Sequence, residues 1–278
     1  MNTQVLALVF GFIILPAFCI GIERLWPQLK SYRAFRAGFG SDVVWYFFQT
    51  FISRVVAPWV VFFAVLPVFL IGNLPLDNYW FGFGPASQLP FVAQVVIVFV
   101  VGDFLSYWQH RLFHTKSAWP IHAVHHSSEK LDWLSSTRFH PFNEIGAQLI
   151  YVAPLIAVGL SPMAFVVLAP FTATYAVLLH ANINVSFGSL RHVIASPTFH
   201  RWHHTQAAEA QNKNFAGFLP VWDVIFGTFY HPQGKVPEVF GVEEAIPEGF
   251  WGQLLHPFRA NPENSEASVS NAHTETRT

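Results

Sequence analysis

The sequence predicts an all-α integral membrane protein, a helical bundle of about four to five membrane helices with a histidine-rich cytoplasmic cap. Of its 278 residues, 53% are hydrophobic and only 11% are charged, whereas a soluble domain carries about 25% charged residues. The 30 phenylalanines and 10 tryptophans are typical of lipid contact and of aromatic belts at membrane interfaces. The histidines cluster where apolar segments end, which predicts a polar cap on one side of the bundle.

Charge and cysteine content narrow the possible functions. The formal net charge is −1 and there is no block of basic residues, so we expect no nucleic-acid partner. The single cysteine, Cys19, lies in an apolar segment. It excludes internal disulfides and cysteine-ligated iron–sulfur clusters within this chain.

Five apolar segments are candidates for membrane helices, since a helical span needs about 20 residues. They are residues 4–22, 42–71, 91–107, 145–159 and 163–179. Because residues 42–71 exceed one span, we expect an interfacial first part and a spanning part from about Val55. The short connection between the last two segments predicts a helical hairpin.

Flanking charges predict the orientation in the membrane. The loop 23–41 contains Arg24, Lys30, Arg33 and Arg36, whereas the loop 72–90 contains no lysine or arginine. By the positive-inside rule the first loop is cytoplasmic. Counting spans from there brings every histidine cluster to the cytoplasmic side. We therefore expect a multi-pass protein of the bacterial inner membrane, with its active site on the cytoplasmic side.

The histidines follow a helical spacing that is typical of a metal site. His110 and His114 are four residues apart and share one helical face. An HxxHH triplet follows, and a second copy occurs in HRWHH. A lone histidine near a membrane surface is usually structural, but this repetition among 14 histidines favours metal ligands. The two copies suggest two metal ions, and the candidate ligands are His110, His114, His122, His125, His126, His180, His200, His203 and His204, with His140 less certain.

Imidazole ligands bind iron, zinc, copper and nickel, so the ligand type alone does not identify the metal. A catalytic zinc site has three protein ligands and a structural one has four. Nine or ten imidazoles are too many for one zinc ion, but they suit two irons with four or five ligands each. Open positions on such irons can bind O2, and a site at a membrane surface could then oxidise a C–H bond of a lipid.

Six segments, in order along the chain, resemble the fatty acid hydroxylase/sterol desaturase superfamily of membrane di-iron oxygenases. They are DFLSYWQHRLFH, HAVHHSSE, RFHPFNE, HANINVSFG, HRWHH and NFAGFLPVWDVIFGTFY. The resemblance covers about residues 91–231. It implies a four-helix membrane bundle and O2-dependent hydroxylation or desaturation of a lipid, sterol-like or fatty-acyl substrate. It also implies that His110, His114, His122, His125, His126, His200, His203 and His204 bind iron.

The chain departs from some members of that superfamily between the two triplets. Those members have a further HxxxH pair there, whereas His180 is followed by Asn184. His180 remains a candidate ligand, and its partner is left open between His140, Asn184 and water. The resemblance predicts a di-iron catalytic domain at residues 91–231. Hydropathy predicts N-terminal membrane helices and loops at 1–90, and composition predicts a disordered tail at 259–278 after a cytoplasmic extension at 232–258.

Three polar residues are candidates for supporting roles. Asp103 lies within an apolar span, where a carboxylate is costly. We expect it to orient a histidine N–H, the alternative being an ion pair with Arg111 or Arg138. Asn182 and Asn214 either bridge to the ligands or cap helices.

The electrons for such chemistry must come from outside the chain. It has no flavin or nicotinamide fingerprint, and Cys19 alone cannot build an iron–sulfur centre. A ferredoxin or cytochrome b5-like carrier with its reductase is therefore the expected partner. The alternative function is a membrane metal-binding or metal-transport protein without oxygenase activity. A transporter would place its ligands at mid-membrane on broken helices, and a zinc protease would show HExxH, which is absent.

Overall fold

The computed structural model describes residues 9–31, 35–74 and 76–259, together with Leu6. Within these residues the chain forms helices and no β-strand, apart from isolated bridges that join Pro27 to Ile183 and Thr205 to Phe240. The predicted all-α fold is therefore confirmed. The predicted disordered tail, 259–278, lies outside the described residues except for Arg259.

Nine helices organise the described chain. Two of them contain a π-helical turn: in α2 it spans Ile52–Val56, and in α5 it spans Gln148–Val152 between Pro141–Ala147 and Ala153–Ala157. In chain order the helices are α1 Leu15–Leu25 (after a π turn, Phe10–Ile14), α2 Phe39–Ile71, α3 Phe91–Phe113, α4 Trp119–His126, α5 141–157, α6 Pro162–His180, α7 Pro197–His203, α8 Val221–Ile225 and α9 Phe250–Leu255.

Shorter helical pieces lie in the connections. A one-turn α-helix, Gly84–Ser87, lies between α2 and α3. The 3₁₀ segments are Leu76–Phe81, Ser135–Thr137, Gly188–His192, Ala208–Ala210 and His256–Phe258.

Three of the described helices are long and apolar enough to cross a membrane: α2, α3 and α6. The helices α5 and α6 follow each other directly, as the predicted hairpin requires. The first predicted span, 4–22, lies partly outside the described residues, and its described part is helical. The prediction of four to five membrane helices therefore stays a prediction beyond these three.

Helix α2 differs from the expectation of two separate parts. It is one helix of 33 residues, which spans about 50 Å at a rise of 1.5 Å per residue. At the expected boundary the helix continues through the π turn, where Ala57 N–H donates to Ile52 O. Pro58 has no N–H to donate, so the hydrogen-bond pattern widens locally without ending the helix.

The long helices pack through aliphatic and aromatic side chains. Val61, Val65 and Phe69 of α2 pack on the C-terminal half of α5, and Val98 of α3 packs against Leu155 and Ala164. On the outer faces large apolar side chains stay exposed, and only 17–28% of the three apolar windows is buried. An apolar surface of this extent needs a lipid environment.

A buried ion-pair network fixes the segment that follows α4. Asp42, in the first turn of α2, is fully buried and pairs with Arg36 at 2.7 Å and with Arg138. Arg36 also donates to Asp132 at 2.6 Å. Paired charges of this kind are costly to break, because the remaining partner is left buried and uncompensated. The network therefore holds residues 127–138 against the start of α2.

The segment predicted as a cytoplasmic extension packs on the same end of the molecule. Gln253 of α9 accepts a hydrogen bond from Trp45 Nε1 at 2.6 Å. Leu254 O accepts a hydrogen bond from His140 Nε2 at 3.1 Å. The extension is thus tied to α2 and to the start of α5.

Candidate metal centre

Nine of the ten candidate histidines converge in two groups where α3, α4, α6 and α7 meet. Within each group the potential ligand atoms lie within 4.8 Å of one another. The two groups are adjacent, since the rings of His126 and His204 stack at 4.2 Å. The first group consists of His110, His114, His122, His126 and His203, and the second of His125, His180, His200 and His204.

The two HxxHH triplets are divided between the groups. The outer pair of the first triplet, His122 and His126, joins His203, the middle histidine of the second triplet. The outer pair of the second triplet, His200 and His204, joins His125. Each triplet therefore serves both groups.

The distances between ring nitrogens fit ligands on a shared ion. Neighbouring Nε2 atoms lie 3.0 Å apart between His110 and His122, and between His180 and His200. The Nε2 atoms of His126 and His203 are 3.1 Å apart. Two nitrogens bound about 2.1 Å from one ion at a right angle are separated by about 3.0 Å. The geometry therefore suits metal coordination through Nε2.

Backbone carbonyls fix the orientation of three of these rings. Nδ1 of His110 lies 2.8 Å from Phe215 O, and Nδ1 of His203 lies 2.7 Å from Lys213 O. Nδ1 of His180 lies 2.7 Å from Ala176 O. A carbonyl can only accept, so each Nδ1 carries the hydrogen and each Nε2 keeps its lone pair.

Two asparagines that the sequence did not single out support further rings. The side-chain amide of the fully buried Asn143 lies 3.2 Å from Nδ1 of His122, and Asn212 forms a hydrogen bond with His114. Nε2 of His114 is buried and has no partner among the described residues. A buried unpartnered nitrogen costs free energy, and binding a metal would remove that cost. The sequence feature that could have indicated Asn143 is its place in the segment RFHPFNE, three residues after His140.

The electrostatic environment keeps the imidazoles neutral. Burial lowers the pKa of His122, His125 and His126 well below its ordinary range, and nearby histidines lower it further. The same causes lower the pKa of His200 and His204. Neutral imidazole is the form that binds a metal.

The role expected for Asp103 is not the one that the structure shows. Its carboxylate accepts hydrogen bonds from Phe218 N and Leu219 N, each at 3.0 Å, and from Trp222 Nε1 at 3.0 Å. Neither a histidine N–H nor an arginine contacts it within the described residues. The buried carboxylate obtains its hydrogen bonds from a loop, which orients His110 in turn through Phe215 O.

Asp223 stabilises the same loop from the other side. It accepts from Phe215 N at 2.8 Å and from Ala216 N at 2.9 Å. It also accepts from Thr228 Oγ1 at 2.6 Å. Two buried carboxylates thus fix the loop 215–219.

Asn182 and Asn214 form backbone contacts rather than bridges to the ligands. Asn182 exchanges two hydrogen bonds with the backbone of Leu29. Asn214 binds the backbone of Tyr230 and Phe199.

Sequence analysis missed Arg201, which lies within HRWHH and is fully buried. It donates to His180 O at 3.0 Å and to Leu131 O at 2.6 Å.

His140 is not part of either histidine group. It is the N-cap of α5: its Nδ1 accepts from Phe142 N at 3.2 Å, while its Nε2 lies 3.1 Å from Leu254 O. Both ring nitrogens are therefore occupied by the backbone. His140 therefore does not complete the coordination of His180, whose group among the described residues contains three other histidines, His125, His200 and His204. Asn184 lines a cleft that none of the nine clustered histidines lines.

Comparison with known proteins shows a similarity to one family. The model of the family described as fatty acid hydroxylase matches residues 95–228. This range includes every histidine of the two groups. Over these residues the chain is similar to the fatty acid hydroxylase family.

Similar proteins act on several lipids, according to their names. The chain is 32% identical to ornithine lipid hydroxylase OlsE of Rhizobium tropici, over 66% of this chain and 56% of that protein. It is 32% identical to alkylglycerol monooxygenase of Homo sapiens, over 63% of this chain and 36% of that protein. It is 31% identical to a very-long-chain aldehyde decarbonylase of Oryza sativa subsp. indica, over 45% of this chain and 22% of that protein.

These matches cover only part of each relative. The chain spans between about half and a fifth of the length of the curated relatives named above. No solved structure gives a significant match to this chain.

Proposed function

We propose that this protein is a membrane-bound non-haem di-iron oxygenase that hydroxylates or desaturates a lipid, sterol-like or fatty-acyl substrate. The observation that carries the proposal is the convergence of nine buried histidines in two adjacent groups at one end of a membrane bundle. The names of the relatives, two of which are hydroxylase and monooxygenase, support the same class of reaction.

The five and four histidines of the two groups would each hold one iron ion. A pair of iron ions supplies the means to reduce O2 and to oxidise a C–H bond. The chain's own residues hold the rings in place: Phe215 O, Lys213 O and Ala176 O fix the hydrogens on Nδ1, and Asn143 supports His122. The carboxylates of Asp103 and Asp223 keep the first two carbonyls in position through the loop.

Hydroxylation consumes O2, two protons and two external electrons, and yields the alcohol and water. Desaturation also consumes two external electrons, because the substrate supplies only two of the four that reduce O2 to water. We therefore propose a separate reductase with a ferredoxin or cytochrome b5-like carrier that docks on the cap. The positive charges of loop 23–41 support a cytoplasmic site in the bacterial inner membrane.

Two measurements on the protein reconstituted in lipid nanodiscs test the proposal. Elemental analysis should give about two irons per chain, as nine imidazole ligands require. Turnover of added lipid should need O2, the carrier and the reductase together, and NAD(P)H with O2 alone should give none. Full activity with one iron or less per chain would overturn the di-iron assignment, and iron binding without any lipid oxidation would favour the metal-binding alternative.

A further inference from the structure

A second polar site lies beside the start of α7. It is a cleft of about 270 Å³ formed by the segment after α6, by Thr198 of α7 and by residues 231–236. None of the nine clustered histidines lines it. The proposed oxidation does not use it.

The lining of this cleft favours an anion. Arg191 and Lys235 are cationic, Asn184 and Ser186 carry short polar groups, and no carboxylate is among the lining residues. The Arg191 guanidinium is held in place by the backbone, since it donates to His231 O at 3.4 Å. A fixed guanidinium beside a lysine is the usual arrangement for binding a phosphate group.

His231 provides a second indication of a ligand. Its side chain is more than nine-tenths buried, and it lines the cleft. Nδ1 has no hydrogen-bond partner among the described residues. Burial and the charge of Arg191 lower the pKa of His231 to about 4, so the ring is neutral and offers one N–H donor. A buried polar ring without a partner costs free energy that a bound acceptor would recover.

The segment that forms the cleft packs beside the C-terminal part of α6. Ala195 O accepts a hydrogen bond from Tyr175 of α6, and Tyr175 lies more than one turn before the end of that helix. Ala195 N donates to Phe218 O at 2.9 Å, and the ring of Phe218 stacks on Phe171 at 5.7 Å. The chain after α6 therefore turns back towards the apolar part of the bundle.

Beside the cleft this segment exposes apolar side chains. Phe187, Leu190, Val193 and Ile194 are between 38% and 53% exposed. They flank the cationic Arg191 in sequence. Apolar side chains that enter a lipid layer beside cations that meet its headgroups are typical of a membrane-surface site.

From these observations we infer that the cleft binds the phosphate of an anionic membrane lipid. The phosphate accepts hydrogen bonds from Arg191, Lys235 and His231, and the acyl chains lie along the exposed apolar segment. The site is separate from the metal centre, and the inference does not depend on the oxidation chemistry.

The test compares lipid binding by the full-length protein in nanodiscs and its variants. The probe is phosphatidylglycerol, with phosphatidylcholine as the uncharged reference, and bound lipid is measured by native mass spectrometry. The wild type should retain phosphatidylglycerol preferentially, and the double variant Arg191→Gln/Lys235→Gln should lose that preference by on the order of ten-fold. Lys235→Gln alone changes one exposed side chain and should show a smaller loss in the same direction. The matched control Lys30→Gln/Arg259→Gln removes two charges that do not line the cleft and should bind as the wild type does.

Inorganic phosphate distinguishes the two possible sources of the anion. It should displace phosphatidylglycerol poorly, because it lacks acyl chains to contact the apolar segment. Complete displacement at low phosphate concentration would overturn the assignment to a lipid. Preferential binding that persists in the Arg191→Gln/Lys235→Gln variant would overturn the site itself. Iron content, measured in parallel, should be equal in all variants.

Discussion

Each histidine has two ring nitrogens, and the structure gives them different partners. In His110, His180 and His203 a backbone carbonyl accepts the hydrogen of Nδ1. Nε2 then faces other histidines with its lone pair. Because the ring orientation is set before any ion binds, little rotational freedom is lost on binding. Residues that only fix the rings should therefore matter less for metal retention than the rings themselves.

His180 and His140 allow a direct test of which histidines bind iron. His180→Ala leaves three histidines in the second group, so iron should fall to about half of the wild-type content and lipid oxidation should be lost. The matched control is His140→Asn, because asparagine is a good N-cap and the ring nitrogens of His140 bond only to the backbone. It should retain both iron and activity. Elemental analysis of the purified proteins measures the difference, and wild-type iron in His180→Ala would contradict the assignment.

Asp223 tests the role of the loop that covers the first group. Asp223→Asn replaces one acceptor oxygen by an amide NH2, which cannot accept from Ala216 N or Phe215 N. The carbonyl that orients His110 should shift, and activity should fall by about 10–100-fold while most iron is retained.

The matched control for this change is the exposed Glu238→Gln, which should have no effect. Mössbauer spectra of the iron-loaded variant should show an altered ligand environment. Unchanged spectra with low activity would indicate that Asp223 acts by another route.

Among the helices, the hairpin of α5 and α6 depends on one glycine. Gly159 has φ +97, a backbone conformation that L side chains rarely adopt, and an added Cβ would collide with Phe83 O. The same two residues are joined by a hydrogen bond from Phe83 N to Gly159 O at 3.0 Å. The turn is therefore clamped to the connection between α2 and α3.

Gly159→Ala should reduce the free energy of unfolding by more than about 1 kcal/mol, since both the backbone conformation and the close contact are lost. Gly40→Ala is the control, because an added Cβ at this position in α2 meets nothing within 4 Å. Alanine there should be neutral or should stabilise by up to about 1 kcal/mol. Denaturant unfolding of the detergent-solubilised proteins compares the two, and equal stabilities would show that the turn tolerates a side chain.

The start of a helix could be predicted from sequence where it depends on neighbouring residues, whereas the continuity of a long helix could not. Pro120 and Pro197 lie in the first turns of α4 and α7, and Ser196 caps α7 by accepting from Phe199 N. By contrast, α2 continues through the region of Arg54 and Pro58. A π turn there accommodates the missing N–H of Pro58 without ending the helix. No local sequence pattern distinguishes such a turn from the end of a helix.

For the molecule as a whole, the sequence identified which histidines converge but not how they are shared. Spacing alone places His122, His125 and His126 on one face. Which ring faces which group depends on how α4 and α7 cross, and this is decided by tertiary packing. The role of Asp103 was unpredictable for the same reason, because its partners lie more than 100 residues away.

Metal removal should destabilise the whole protein. Nitrogens such as His114 Nε2 are buried and have no hydrogen-bond partner in the described part of the chain, and each such group costs about 1–3 kcal/mol. Since iron binds only the folded chain, it should raise Tm. Thermal unfolding with and without a strong chelator measures the shift. In the double variant His125→Ala/His203→Ala, which removes one ring from each group, the chelator should change Tm much less, and an equal shift would contradict the prediction.

The division of the two triplets also has a consequence for biosynthesis. Four of the five histidines of the first group lie within residues 110–126, whereas the second group has only His125 there and needs His180, His200 and His204. A ribosome makes the chain from its N-terminus, so the first group is almost complete before α6 has been translated. We expect the nascent chain to acquire its ions in a fixed order, the first group before the second. A cell short of iron would then accumulate a half-loaded protein with its single ion in the first group.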